Sequence, residues 1–532
     1  MIKSPILIVG AGPTGLMLSA QLCRYGAAHV IVDQKEGITE LSKALAVQAR
    51  SLEEYRQLGI ASKAIEQGFV AQNVRLIING TLRGLIPLGE IGAGLSPYPY
   101  VFILEQSRNE SLILDYITSE GGAVQWGTEV IEVDKSDKGY TGTLSRSDGT
   151  TEKFECRYLI GCGGASSLVR HFLDMPFRGA TNEQLFFVAD INLQLDLEKQ
   201  GLVLVMNRSE FLAFFPMSGP QQFRAIGVLP ASVSNPDEFS FDEIREHIEN
   251  NIGIHAKITG HSWYSSYRVH HRIVDNFRSG NTFLVGDAAH IHSPAGGQGM
   301  NTGLGDAVNL GWKLAGVVNG WCAPEILDTY NEERRPFGVQ LVHTTDRAFS
   351  IMVSKRWFPQ FFRTQILPKF LKIGLTFKSL RRLMFKTVSQ TRINYRKSSL
   401  SDGSRCGSLQ SGDRFPWFEW DNGNSYEWLA NVGYVVLKFG RARPCEISDW
   451  TGPCTHISVK GEAAKAAFAA GLPTNGSVVV RPDMHIAKVV ETGESESELS
   501  SWNLSLNDSS EPAMTCTMTV EDRSTIHQLY TK

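Results

Sequence analysis

The segment Ile6-Leu-Ile-Val-Gly-Ala-Gly-Pro-Thr-Gly15 constrains this chain more than any other. Four apolar residues run without a polar break, as in a strand buried on both faces of a parallel sheet. Gly10, Gly12 and Gly15 then follow at G-x-G-x-x-G spacing and open a helix over 13–25. The first glycine permits the tight turn, and the second lets a pyrophosphate approach the backbone. The third lets helix and strand pack closely, with the anion on the helix N-terminus. Val30-Ile-Val-Asp33 supplies a second strand, and Asp33 is placed to accept hydrogen bonds from ribose hydroxyls. The outcome is a doubly wound α/β nucleotide-binding domain. By itself the motif leaves NAD and FAD open.

The discriminating segment is Gly286-Asp-Ala-Ala-His-Ile-His-Ser-Pro-Ala-Gly-Gly-Gln-Gly-Met-Asn301. A buried strand (Thr282-Phe-Leu-Val) delivers Asp287, a glycine-rich turn follows, and a helix starts near Met300. A carboxylate there can hold ribityl hydroxyls. Backbone N–H groups at Gly299 to Asn301, with the helix dipole, can stabilise negative charge on a reduced flavin. This pattern makes the cofactor FAD. An NAD-dependent dehydrogenase is the weakest rival, since it leaves the segment unexplained.

At 532 residues, two or three domains are expected. A net charge of −3 gives no case for nucleic acid, and no apolar run approaches the ~20 residues of a membrane span. The apolar start is cut short by the glycine turn and has no cleavage site of small residues, so it is not read as a signal peptide. Eight cysteines without a C-x-x-C suit a reducing cytoplasm and free thiols, Cys445 and Cys454 included. No metal site is expected. His270-His271, His290 and His292 lack ligand partners at suitable spacing.

The pattern shifts to alternating strands between about 180 and 270, such as Phe186-Phe-Val-Ala-Asp-Ile and Arg224-Ala-Ile-Gly-Val-Leu. This predicts an antiparallel sheet inserted into the first domain. Residues 42–58 and 106–120 are predicted amphipathic helices. The span 331–396 is predicted helical, its Lys and Arg among aromatics forming a solvated face. The expected domains are FAD-binding over 1–175 and 271–400 (with a helical extension over 331–400), a substrate-binding sheet domain over 176–270, and a C-terminal domain over 401–532. The last ends in an acidic, Ser-rich tail from 491 whose parts are expected to be mobile. No internal repeat is found.

With Asp306-Ala-Val-Asn-Leu-Gly-Trp-Lys-Leu-Ala315 and Tyr330-Asn-Glu-Glu-Arg-Arg-Pro336, the Gly286 segment resembles the class A flavoprotein aromatic hydroxylases. That is the family of p-hydroxybenzoate hydroxylase and phenol hydroxylase. The likeness runs from residue 5 to about 490. Arg481-Pro-Asp483 resembles part of the thioredoxin-like C-terminal domain of the phenol-hydroxylase and polyketide-hydroxylase branch. Without C-x-x-C that domain would be structural or would form a homodimer. The resemblance implies FAD contacts at Gly10, Gly12, Pro13, Thr14, Gly15, Asp33, Gln106, Val130 and Asp287. It adds Pro294, Gly297, Gly299, Met300 and Asn301 beside the isoalloxazine. Lys43 stands where the family has an arginine near the pyrophosphate, keeping the charge without the fork geometry.

The implied activity is that of a monooxygenase. NADPH or NADH reduces FAD, O2 is taken up, and a C4a-hydroperoxyflavin hydroxylates a phenolic or polyketide-like small aromatic substrate. Baeyer–Villiger attack or epoxidation on the same scaffold is the alternative. Pro294, Tyr264 and Arg268 are the expected catalytic residues, with Tyr267 and His270 close by. Phe211, Phe214, Phe215 and Met217 are candidate pocket walls, and His290 and His292 flank the loop as structural or acid–base groups.

One motif departs from the family. Gly161-Cys-Gly-Gly-Ala-Ser-Ser-Leu-Val-Arg170 has Gly163 in place of an Asp and Ser166 in place of an Arg, at a site serving FAD and the transient NAD(P)H. Impaired flavin reduction is therefore a further alternative, unless Arg170, Arg224 or Arg268 compensates.

Overall fold

The computed structural model describes residues 1–40, 44–195, 201–207, 211–229, 240–252, 256–293, 296–354, 357–366, 377–442, 445, 447, 449–491 and 515–519. Lys43, Pro294 and nearly all of the tail from 491 lie outside them.

Ile6, Leu7 and Ile8 are essentially inaccessible because their strand, Ile2–Val9, has a parallel neighbour on each side. Leu7 pairs with Val30 on one flank and Leu159 on the other. Two sheet faces covered by helices leave no place for a polar side chain, hence the unbroken apolar run. The order across the sheet is Arg278–Ser279, Thr282–Leu284, Thr151–Gly161, Ile2–Val9, Val30–Val32, Val124–Gln125. An antiparallel hairpin, Thr128–Ser136 and Gly139–Arg146, joins it along Thr151–Gly161. Helices Pro13–Arg24 and Gly299–Val318 pack together over this sheet.

The second sheet has eight strands in the order His290–Ile291, Ala256–Val274, Phe177–Leu195, Gln222–Val228, Phe211–Pro216, Gly201–Met206, Asn73–Ile78, Thr81–Pro87. Its last two strands come from the N-terminal third, so the sheet extends beyond the expected 176–270. Asn73–Ile78 pairs in parallel with Gly201–Met206, and the hairpin to Thr81–Pro87 closes that edge. Its two faces differ. Phe187, Ala189, Phe214 and Ala225 turn towards helix Phe241–Ile252, which supplies Ile244 and Ile248. On the other face Leu202, Leu204 and Phe215 pack with Phe69, Ala71 and Val101 of the FAD-binding portion. This second face is the inner one.

The C-terminal region forms a five-stranded sheet ordered Ile486–Glu491, Gly476–Val480, Tyr434–Phe439, Cys454–Val459, Thr515–Thr519, with helix Gly461–Ala469. Cys23, Cys156, Cys162, Cys322, Cys406, Cys445 and Cys454 are not joined in disulfides. No helix there is long and apolar enough to cross a membrane.

Candidate functional site

Gly10 has φ +108°, and a Cβ on it would lie 2.6 Å from the Cys162 carbonyl carbon, so only glycine lets the first turn meet the 162–163 turn. Gly15 packs equally tightly on the Gly10 carbonyl. Gly12 differs, since a Cβ there would meet nothing within 4 Å. The one motif glycine with open space is the one whose backbone a pyrophosphate approaches. Asp33 Oδ2 accepts from Ala11 N at 2.6 Å and Oδ1 from Lys35 N at 2.9 Å, which ties the turn to the end of the second strand. Pro13 opens the helix, and the helix has no side-chain cap. Its first N–H groups are left for an anion.

The second half of the site abuts the first through Thr14. Its side chain fills the space beside Gly286 (φ +63°) and Gly303, so the Gly286 turn, the glycine-turn helix and helix Gly299–Val318 meet at one residue. Asp287 follows as an exposed residue in a single 3-10 turn. Gly296 and Gly297 both have positive φ, and a Cβ on Gly297 would lie 2.8 Å from Ala46 Cβ. Asn301 fixes this loop. Its amide donates to Ala46 O at 2.9 Å and Gly297 O at 2.8 Å, and its Oδ1 accepts from Gln48 N at 2.7 Å and Ser51 Oγ at 2.8 Å. With the side chain so committed, the backbone of Gly299, Met300 and Asn301 remains for a ligand. Helix Gly299–Val318 also lacks a side-chain cap. Open space at Gly12 and two uncapped helix N-termini fit the diphosphate and the reduced ring of FAD.

Gln106 brackets the chain next to Lys43. Its N donates to Ala44 O at 3.0 Å and its Oε1 accepts from Ala44 N at 3.2 Å. Val130 is buried in the hairpin opposite Leu144. His290 is a core residue, with Nε2 2.7 Å from Asp306 Oδ2 and the ring stacked on Phe277. Asp306 is held in turn by Arg334 at 2.6 Å. His292 stands beside Gly299, and burial, then the charge of His290, pull its ring down to about 4, so it is neutral near pH 7. These are supporting roles.

The strand register redistributes the substrate-side expectations. Tyr264 lies opposite Ala189 and packs on Phe241 and His261, on the outer face, and Arg268 is opposite Leu185 on the same face. Phe214 joins them there. Tyr264 and Arg268 were expected to be catalytic, but a step of three or one residues from Tyr267 reverses the side in a period-two strand. The inner face instead carries a row read across four strands: Phe215, Arg224, Asp190 and Trp263. Arg224 is 1% exposed and forms a fork with Asp190, both contacts at 2.7 Å. Its Nη1 is buried without a partner among the described residues. Asp190 is not among the residues the sequence marks as candidates, although an acid inside Phe186-Phe-Val-Ala-Asp-Ile is a signal in its own right.

Arg170 cannot stand in for the missing charges at 163 and 166. Its guanidinium donates to Ala288 O at 3.2 Å and Ala165 O at 2.6 Å and lies over Phe177. It braces the 161–167 turn against the Asp287 turn.

Comparison with known proteins agrees with this geometry. The model of the FAD binding domain family matches residues 3–345. A 6-methylpretetramide 4-monooxygenase from Streptomyces rimosus is 32% identical over 91% of this chain and 90% of its own length. A rifampicin monooxygenase from Rhodococcus hoagii is 29% identical over 94% of this chain and 98% of its own. Among solved structures, the OxyS anhydrotetracycline hydroxylase from Streptomyces rimosus superposes with a TM-score of 0.75 at 27% identity, covering 93% of this chain and 97% of that one.

Proposed function

Since the chain belongs to the class A flavoprotein hydroxylases, we propose that it hydroxylates a multi-ring phenolic compound of the polyketide type, held between the glycine-rich loop and the inner face of the inserted sheet. The protein is an FAD-dependent monooxygenase acting on an aromatic substrate. When bound, FAD supplies the redox chemistry, namely reduction by NAD(P)H and activation of O2. The chain's own residues bind, orient and exclude water.

In this reading the Gly10–Gly15 turn, Asp33 and Gln106 hold the adenosine diphosphate end, and Asp287 holds the ribityl chain. The N–H groups of Gly299 to Asn301 would stabilise negative charge on the reduced ring, Pro294 would lie beside it, and Lys43 would serve the pyrophosphate. The carrying observation on the substrate side is the unsatisfied Nη1 of Arg224. A buried guanidinium donor without a partner costs free energy unless an acceptor arrives, and a phenolate or ring-ketone oxygen is such an acceptor. Phe215 and Trp263 beside it offer flat apolar contact for fused rings. The 6-methylpretetramide 4-monooxygenase and the rifampicin monooxygenase, which match over more than nine-tenths of the chain, support a large substrate, whereas a pentachlorophenol 4-monooxygenase from Sphingobium chlorophenolicum matches over 65% of it. The C-terminal sheet is read as a thioredoxin-like unit in a structural role, and the free thiols suit a cytoplasmic setting.

The test is a panel of single-ring phenols, fused-ring phenols and cyclic ketones, scored by stimulation of NAD(P)H oxidation with hydrogen peroxide counted separately. Fused-ring phenols should stimulate coupled oxidation most. Arg224→Lys should lower kcat/KM about 10–100-fold, mainly through KM, because lysine keeps the charge but loses the fork. A preference for ketones, or an Arg224→Lys enzyme with unchanged KM, would overturn the substrate assignment.

A further inference from the structure

From Arg347 to Ser401 the chain carries thirteen Lys and Arg and no Asp or Glu, within a protein of net charge −3. The described parts of this span also hold most of the large apolar side chains left in water. Trp357 is 75% exposed, Phe358 63% and Phe377 60%, with Ile351, Phe361, Ile366, Leu383 and Val388 also exposed. Only five of the chain's exposed large hydrophobics lie elsewhere among the described residues.

Helix Lys378–Val388 concentrates the pattern. Phe385 anchors it in the core against Gly92, while Lys378, Arg382 and Lys386 form an exposed stripe at i, i+4 spacing. Like charges at that spacing repel, and none of the three has an ion pair among the described residues. Leu383 in the same helix and Phe377 just before it are exposed too. Upstream, Trp357 and Phe361 stack at 5.6 Å and both stand exposed.

We propose that helix Lys378–Val388, with Phe377 ahead of it and Trp357 and Phe358 upstream, docks this protein on an anionic lipid surface, Lys378, Arg382 and Lys386 lying at the headgroups and Trp357, Phe358 and Phe377 entering the interface. Exposed Trp and Phe, together with a cationic helix stripe, in a span without Asp or Glu are what an interfacial element requires. A second copy of the same face would bring cation against cation, so charge opposes self-association there. Duplex nucleic acid would neutralise the stripe but leave the aromatics in water. The docking side adjoins the flavin loop, because Val388 O accepts from Gln298 Nε2 at 2.8 Å.

The experiment is sedimentation of the FAD-loaded protein with vesicles of phosphatidylcholine alone or mixed equally with phosphatidylglycerol, with a DNA duplex as a separate arm. Binding to the mixed vesicles is expected at about 0.1 M salt and largely lost at about 1 M. Lys378→Gln/Arg382→Gln/Lys386→Gln should weaken it by about a hundredfold. Trp357→Ser/Phe358→Ser should weaken it independently, and both variants should keep FAD content and turnover. Absence of binding, equal binding to phosphatidylcholine alone, tighter binding to the duplex, or variants that bind like the parent would each overturn the proposal.

Discussion

At Gly163 the backbone φ is −76°, and an added Cβ would find its nearest neighbour, Ser167 Cα, at 3.5 Å. Neither conformation nor space demands glycine there, in contrast to Gly10. Gly163 and Ser166 are both exposed, so the side chains the family pattern would place there fit without repacking. Gly163→Asp with Ser166→Arg should therefore fold normally. If the acid–arginine pair contributes one charge-assisted hydrogen bond to NAD(P)H engagement, anaerobic bleaching of the flavin should speed up about tenfold. Stopped-flow absorbance decides it, and an unchanged rate with unchanged FAD content removes the departure from any account of reduction. The sequence shows that these two charges are missing. That the turn has room for them, and that Arg170 is otherwise engaged, is visible only with the packing in place.

Helix Ala49–Gln57 shows how an element can mislead. The span 42–58 reads as amphipathic, yet from Ala49 to Tyr55 every residue is buried, Arg50, Glu53 and Glu54 included. Its polar face meets protein instead of water. Arg414 pairs with Glu53, and Arg50 Nη2 donates to Asp483 O at 2.7 Å, both partners lying more than 350 residues downstream. Glu54 is the weak point. Burial pushes its carboxyl up to about 7, more than the 3.3 Å contact with Arg50 offsets, and Oε2 has no partner among the described residues. A folded pKa above the unfolded value means the group favours folding fully below about pH 4.5. That contribution fades as pH rises through 7. Glu54→Gln should accordingly raise the thermal midpoint at pH 8 and leave it nearly unchanged at pH 5, by up to about 3 kcal/mol of difference. Equal effects at both pH values would show that Glu54 is charged throughout. No local pattern distinguishes a face that meets water from one that meets a distant charged strand.

At the scale of the whole molecule, the C-terminal sheet is joined to the FAD-binding portion by buried ions. Arg481 reaches Glu333 at 2.6 and 2.9 Å and Asp483 at 2.6 Å, Lys313 reaches Glu333 at 2.7 Å, and Arg481 lies over Trp312. Burial alone pushes the Glu333 carboxyl up, but Arg481 and then Lys313 outweigh it and hold it well below the ordinary carboxylate range. Removing one member leaves the others charged and dry. Arg481→Ala should therefore cost about 3–5 kcal/mol, read as an earlier thermal release of FAD fluorescence. A shift within error would mean that water enters the joint freely. The sequence by itself determined the strand, the Gly10–Gly15 turn, Asp33 and the Gly286–Asn301 loop, because these follow from backbone conformation and from contacts within a few residues. It also carried the family, through motifs whose spacing the chemistry fixes. Only the tertiary structure decided which sheet face looks inward, and so that Arg224 and Asp190 line it while Tyr264 and Arg268 do not. Faces alternate every residue, and bulges in the 177–195 and 256–274 strands shift their register. It also decided which charges are buried, since Glu333 and Arg481 are 148 residues apart until the fold brings them together.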